Sequence, residues 1–241
     1  MGASGCHTGG ITKRSAGMAG ERASGGPRRQ MSKRRDGDKG GGRFRIAVMI
    51  SGGGTSLQNL IDRIADGRLP GVEIAVVISS RTTVEGVARA ERAGLPVDVI
   101  RVKDKPDVQR FSDEIALTLD VYAVDLVVQA GWLCYWKVPP AWLGKVINIH
   151  PALLPKYGGK GFYGRHVHEA VLAAGEAETG ATVHWVDNEY DHGPLIAQAR
   201  CAVQPSDTSE TLAERVMGLE RELLPKVILD IKRGEVRRPK L

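Results

Sequence analysis

Arg45-Ile46-Ala47-Val48-Met49-Ile50-Ser51-Gly52-Gly53-Gly54-Thr55-Ser56 is the stretch from which the fold can be read. Ile46 to Ile50 form an uninterrupted apolar run, which suits a strand of a parallel sheet covered on both faces. The glycines that follow let the chain reverse sharply, and the polar Thr55-Ser56 pair opens an amphipathic segment that reads as a helix. A strand, a glycine turn and a helix in immediate succession place backbone N–H groups at a helix N-terminus, where an anion such as a phosphate binds. The turn is neither a GxGxxG followed by a ribose-binding acid nor a Walker A loop, because no Lys follows the last glycine.

Outward from this unit the pattern repeats as short β-branched runs separated by amphipathic stretches, the sequence form of strand–helix–strand units. Strands are expected at Arg45–Ile50, Glu73–Ser80, Val97–Val102, Leu126–Ala130, Val146–His150, Ala181–Val186 and Ile196–Val203. Helices are expected at Ser56–Ala65, Val84–Ala93, Val108–Leu119, Arg165–Ala174 and from about Ser209 to Lys232, the last capped by Thr208 or Ser209. The expected fold is α/β, a single Rossmann-like domain over residues 44–241 with a mostly parallel sheet flanked by helices. Ligands of such sheets bind beyond the carboxyl ends of the strands.

The first 43 residues differ in kind. They hold twelve glycines and almost no large apolar side chain, too little to offset the entropy of ordering. A disordered basic Gly/Arg-rich extension is expected there, or a translation start set too early, with Met18 or Met31 as later ones; nucleic-acid binding is the minor reading. Ten Lys/Arg against three acids give this segment +7 of the chain's net +6, leaving −1 for the rest. The body therefore offers no electrostatic footprint for nucleic acid. With 42% hydrophobic and 26% charged residues the composition is globular, and no apolar run approaches the ~18 residues of a membrane span. Cys6, Cys134 and Cys201 are odd in number and far apart, without CxxC or His at ligand spacing, so reduced thiols, no metal and a cytoplasmic location are expected.

Two further motifs carry chemistry. Asn148-Ile149-His150-Pro151, followed by Ala152-Leu153-Leu154-Pro155, ends an expected strand, and alternation puts Asn148 and His150 on one side at the sheet edge. An imidazole there can move protons, and an amide NH₂ can stabilise an oxyanion. Gly180-Ala181-Thr182-Val183-His184-Trp185 runs into the acidic loop Asp187-Asn188-Glu189-Tyr190-Asp191-His192-Gly193-Pro194. Asp187, Glu189 and Asp191 are equivalent candidates to orient His150, and a carboxylate beside it would raise its pKa and keep it charged. His166, His168 and His192 show no partner pattern and read as surface residues.

Taken in this order, the three motifs resemble the phosphoribosylglycinamide formyltransferase family over about residues 45–233. The resemblance implies transfer of a formyl group from 10-formyltetrahydrofolate to the amine of glycinamide ribonucleotide in purine synthesis. It implies His150 as general acid/base, Asn148 as donor to the formyl oxygen and Asp191 as the carboxylate that tunes His150. It further implies that Gly54, Thr55 and Ser56 contact the phosphate, that Glu220 binds the ribose, and that Leu133, Cys134, Tyr135 and Trp136, with Asn148, hold the folate. The implied partners are these small molecules alone, with no nucleic acid, membrane or metal. Formyltetrahydrofolate deformylase shares the chemistry but adds an N-terminal regulatory domain, and methionyl-tRNA formyltransferase adds a basic C-terminal one; neither addition is expected here. A non-catalytic nucleotide-binding module is the alternative of another class. The stretch Gly158-Gly159-Lys160-Gly161-Phe162-Tyr163-Gly164 is richer in glycine than the common family form.

Overall fold

In the computed structural model, which describes residues 42–240, Phe44–Ile50 is the strand β1 near the middle of a seven-stranded sheet. The other strands are β2 (Val72–Ser79), β3 (Val97–Val99), β4 (Leu126–Gln129), β5 (Val146–His150), β6 (Glu178–Trp185) and β7 (Leu195–Ala202), in the order β3-β2-β1-β4-β5-β6-β7. Strands β3, β2, β1, β4 and β5 pair in parallel, while β6 pairs antiparallel with β5 and with the edge strand β7. The mostly parallel α/β sheet expected from the sequence is present, and it places the carboxyl ends of β1, β4 and β5 side by side.

The unbroken apolar run of β1 has a simple cause. Ile46, Val48 and Ile50 enter one core with α1 (Thr55–Ala65) and α5 (Ser209–Lys232), while Ala47 and Met49 enter a second core with α3 (Val108–Val121). Both faces are covered, so neither set of alternate residues can be polar. The remaining helices are α2 (Glu85–Arg92) and α4 (Arg165–Ala173).

α5 starts with a reciprocal cap in which the Thr208 hydroxyl accepts from Thr211 N–H while the Thr211 hydroxyl accepts from Thr208 N–H. Pro225 lies inside α5 and has no N–H for the Arg221 carbonyl one turn earlier. The Asn59 amide of α1 donates to that carbonyl at 2.9 Å, joining the two helices beside the site.

One strand is three residues shorter than expected. β3 ends at Val99 rather than Val102, because it has only β2 to pair with. After the bond from Ile100 N–H to the Ser79 carbonyl the chain leaves the sheet and forms a 3₁₀ turn at Val102–Asp104. The extension expected at residues 1–43 lies, up to residue 41, outside the described residues.

Candidate active site

A cleft of about 810 Å³ opens where the strand ends meet, and it is lined by all three sequence motifs. Its first wall is the turn after β1. Gly54 is the N-terminal cap of α1 with φ 68°, and no side chain caps the helix, so its first N–H groups remain for a ligand. A Cβ on Gly54 would lie 2.6 Å from the Gly86 Cα, so the close approach of α2 demands glycine there. Gly86 N–H donates to the Gly52 carbonyl at 3.1 Å and holds the turn in place.

The second wall follows β4. Ser51 accepts from Leu133 N–H at 2.9 Å and from the Ser80 hydroxyl at 2.7 Å, so the strand end that starts the glycine turn also positions this loop. Trp132 and Trp136 are buried with their indole N–H groups unpartnered, whereas Leu133 and Tyr135 are exposed and Cys134 is a half-buried free thiol. Asn188 joins this wall to the acidic loop, accepting from Val138 N–H at 2.8 Å. The Tyr135 hydroxyl donates to the Asn188 carbonyl at 3.3 Å, and the Tyr135 and Tyr190 rings lie 5.7 Å apart.

The centre of the cleft lies at the end of β5. Asp191 Oδ2 is 3.5 Å from His150 Nδ1 and accepts the Gly159 N–H at 2.9 Å. Its Oδ1 accepts from Asn148 Nδ2 at 3.3 Å and lies 3.5 Å from His184 Nε2. Asp191 has φ 53°, a left-handed conformation for a non-glycine residue, which these contacts hold in place. The choice the sequence left open is thus made: Asp187 accepts from Glu189 N–H at 2.8 Å and pairs with His192 at 3.0 Å, Glu189 is exposed, and Asp191 is the acid that reaches His150.

His150 is 3% exposed, and its Nε2–H donates to the Tyr157 carbonyl at 2.7 Å. In the neutral ring the free lone pair is therefore on Nδ1, facing Asp191. Burial pulls the His150 pKa below its ordinary value, and this outweighs the raising effects of Asp191 and the Tyr157 carbonyl. The expectation that the carboxylate keeps His150 charged is therefore corrected: at rest the imidazole is neutral. Asp191 is raised by burial, but its neighbours His184 and His150 and the Gly159 N–H together bring it below the usual carboxylate range.

Two histidines differ from their sequence reading. His184, quoted in the third motif without a role, is buried on β6 directly across from Asn148 in the β5–β6 register. Its Nδ1–H donates to the Trp185 carbonyl at 2.8 Å, which leaves Nε2 to accept from Asn148 Nδ2 at 3.2 Å. His168 is not a surface residue: α4 turns Val167, His168 and Val171 inward, His168 lines the cleft, and its Nδ1 has no partner. Burial lowers its pKa, with His150 adding to the shift. His166 and His192 are exposed, as expected.

Glu220 on α5 lines the same cleft beside the glycine turn of α1. Burial pushes its pKa up to about 7, with Arg221 opposing, so near neutral pH it is divided between its protonated and charged forms. No cluster of His, Cys, Asp or Glu suited to a metal ion occurs among the described residues.

Comparison with known proteins places this geometry in context. Residues 44–228 match the family model described as Formyl transferase. The phosphoribosylglycinamide formyltransferase of Haemophilus influenzae is 38% identical over 80% of this chain and 89% of its own length. The trifunctional purine biosynthetic protein adenosine-3 of Drosophila pseudoobscura pseudoobscura is 42% identical over 81% of this chain. The chain spans 14% of that protein's length, and 64% of the chloroplastic phosphoribosylglycinamide formyltransferase of Arabidopsis thaliana. Among solved structures, glycinamide ribonucleotide transformylase 1 of Symbiobacterium toebii superposes with a TM-score of 0.74 at 36% identity, covering 80% of this chain and 89% of that one. The phosphoribosylglycinamide formyltransferase of Coxiella burnetii, in complex with CHES, superposes with 0.72 at 41%, covering 80% and 88%.

Proposed function

Because the chain belongs to the formyl transferase family, we propose that it moves the formyl group of 10-formyltetrahydrofolate to the amine of glycinamide ribonucleotide, a step of purine synthesis. The observation that carries the reading is the meeting of the Asp191 carboxylate with His150, Asn148 and His184 at one strand end. The domain that performs the reaction is residues 44–241, acting in the cytoplasm on small molecules alone; no described helix is long and apolar enough to cross a membrane.

The folate lies along Leu133, Cys134, Tyr135 and Trp136, with the exposed loop backbone and the buried indoles forming its bed. The nucleotide lies across the cleft, its phosphate on the N–H groups of Gly54, Thr55 and Ser56 and its ribose on Glu220. The amine nitrogen attacks the formyl carbon and a new C–N bond forms, leaving the carbonyl oxygen negative. His150, neutral at rest, has a lone pair on Nδ1 to take the proton that the attacking amine releases. Asp191 stabilises the imidazolium as it forms, rather than holding one beforehand. The two N–H bonds of Asn148 are long, 3.2 Å to His184 and 3.3 Å to Asp191, so a full oxyanion competes for them. Collapse of the intermediate breaks the bond to the folate nitrogen, which receives the proton from His150.

The test is formyl transfer from 10-formyltetrahydrofolate measured with glycinamide ribonucleotide present and absent. Formyl ribonucleotide formed only in its presence supports the reading. Release of formate at the same rate in both cases makes the chain a hydrolase of the deformylase type. A melting shift with nucleotide and none with a folate analogue makes it a binding module, since ligand at ~100 times its Kd stabilises by about 2.7 kcal/mol.

A further inference from the structure

The glycine-rich segment Gly158–Gly164 is the motif to which the reaction above gives no part, and its ends are fixed at the site. Gly159 N–H is held by Asp191 Oδ2 at 2.9 Å, and a Cβ on Gly158 would meet Leu154 Cδ2 at 2.5 Å and Asp191 Cβ at 3.1 Å. Gly164 forms the N-terminal cap of α4. Between these ends Lys160 stands between Gly159 at φ 95° and Gly161 at φ 100°, conformations that favour glycine, and it lines the cleft.

The charge of the cleft gives Lys160 its meaning. Asp187, Glu189, Asp191, Glu210 and Glu220 line it, against only Lys160 and Arg165 among the Lys and Arg side chains. Arg165 is taken, pairing with Glu169 at 2.7 Å and with Glu210 at 3.0 Å. Lys160 makes no ion pair or hydrogen bond among the described residues. A phosphate monoester brings nearly two negative charges, and the end of α1 offers about half a positive one. An acidic cleft that admits such a group needs a further cation.

We infer that Lys160, presented by the glycine segment, binds the phosphate of the nucleotide substrate opposite the Gly52–Ser56 turn. This rests on the proposed function above. The choice of the phosphate over the carboxylates of the folate follows from connectivity. The segment runs directly into α4, whose Arg165 reaches Glu210 of α5, and α5 is joined to α1 through Asn59 and carries Glu220. Because Gly159 also holds Asp191, capture of the phosphate steadies the segment that positions the carboxylate beside His150.

Steady-state kinetics of Lys160→Ala and Lys160→Arg, with the ribonucleotide and with its dephosphorylated ribonucleoside as acceptors, test the assignment. In Lys160→Ala the KM for the ribonucleotide rises about tenfold, the size of one charged hydrogen bond at its weak end, and Lys160→Arg recovers most of it. The KM for the folate and the KM for the ribonucleoside stay at the parent's values, and the salt dependence of the ribonucleotide KM weakens. An unmoved ribonucleotide KM, an equal rise for the ribonucleoside, or a rise for the folate alone overturns the inference. Absence of transfer by the parent chain removes the proposed function and this inference with it; transfer by the parent with an unmoved KM in Lys160→Ala removes the inference alone.

Discussion

At the β5 end of the cleft Asp191 touches His150, Asn148, His184 and Gly159, whereas at the α1 end Gly54 has no side-chain cap, and Glu220 and Lys160, which line the same cleft, make no hydrogen bond or ion pair among the described residues. The chemical end is organised before any substrate arrives, which spares reorganisation during the reaction. The binding end is left unsatisfied, so that the substrate itself completes it. The contrast separates two kinds of mutation: changes at β5 should lower kcat, and changes near α1 should raise KM.

The largest effect is expected at Asp191. Asp191→Asn keeps the shape but removes the charge that stabilises the imidazolium, and kcat falls about 10³-fold, within the range of lost acid–base catalysis. Loss confined to KM would erase the contrast. Asn148→Ala follows, with kcat down ~10²-fold or more, the usual result of removing one oxyanion donor. Near-normal turnover by the folded variant would take Asn148 out of the mechanism.

Glu220→Gln tests the other end. The KM for the nucleotide rises about tenfold, as for one hydrogen bond to a charged group, with kcat little changed. The same variant sharpens the contrast through stability. Glu220 has a folded pKa raised from 4.5 to about 7, so the folded state loses stability as pH rises through that window. Glu220→Gln removes the penalty and raises the empty protein's Tm at pH 8 by a few degrees, on the order of 3 °C per kcal/mol. A lower Tm at that pH would contradict the unsatisfied state of this end.

The smallest effect concerns His168. Its folded pKa lies below the ordinary 6.5, as does that of His150, so the unfolded chain binds more protons and stability falls as pH drops below 6.5. His168→Gln removes one of the two groups, and the slope of Tm against pH below 6.5 becomes shallower. An unchanged slope would place His168 outside the titrating set.

How much of this was legible in the sequence differs from residue to residue. β1 and the glycine turn were legible because local patterning alone decides them: an apolar run buried on both faces, and a turn with no room for a Cβ at Gly54. Asn148 and His150 were legible as a pair because strand alternation puts them on one side. His184 was hidden although it lies in a quoted motif, since its role depends on the antiparallel β5–β6 register that sets it across from Asn148. His168 was misread because the inward face of α4 is set by its packing and not by its own residues. The charge of His150 was misjudged because a nearby carboxylate can be guessed from sequence, while the depth of burial that outweighs it cannot.

The most direct test of the central claim is single-turnover formyl transfer by His150→Gln, which keeps volume and a hydrogen-bond donor for Tyr157 but cannot exchange a proton. The account predicts a loss of about 10³-fold or more, with folate and nucleotide binding retained. A folded His150→Gln that transfers formyl at close to the parent rate would contradict it.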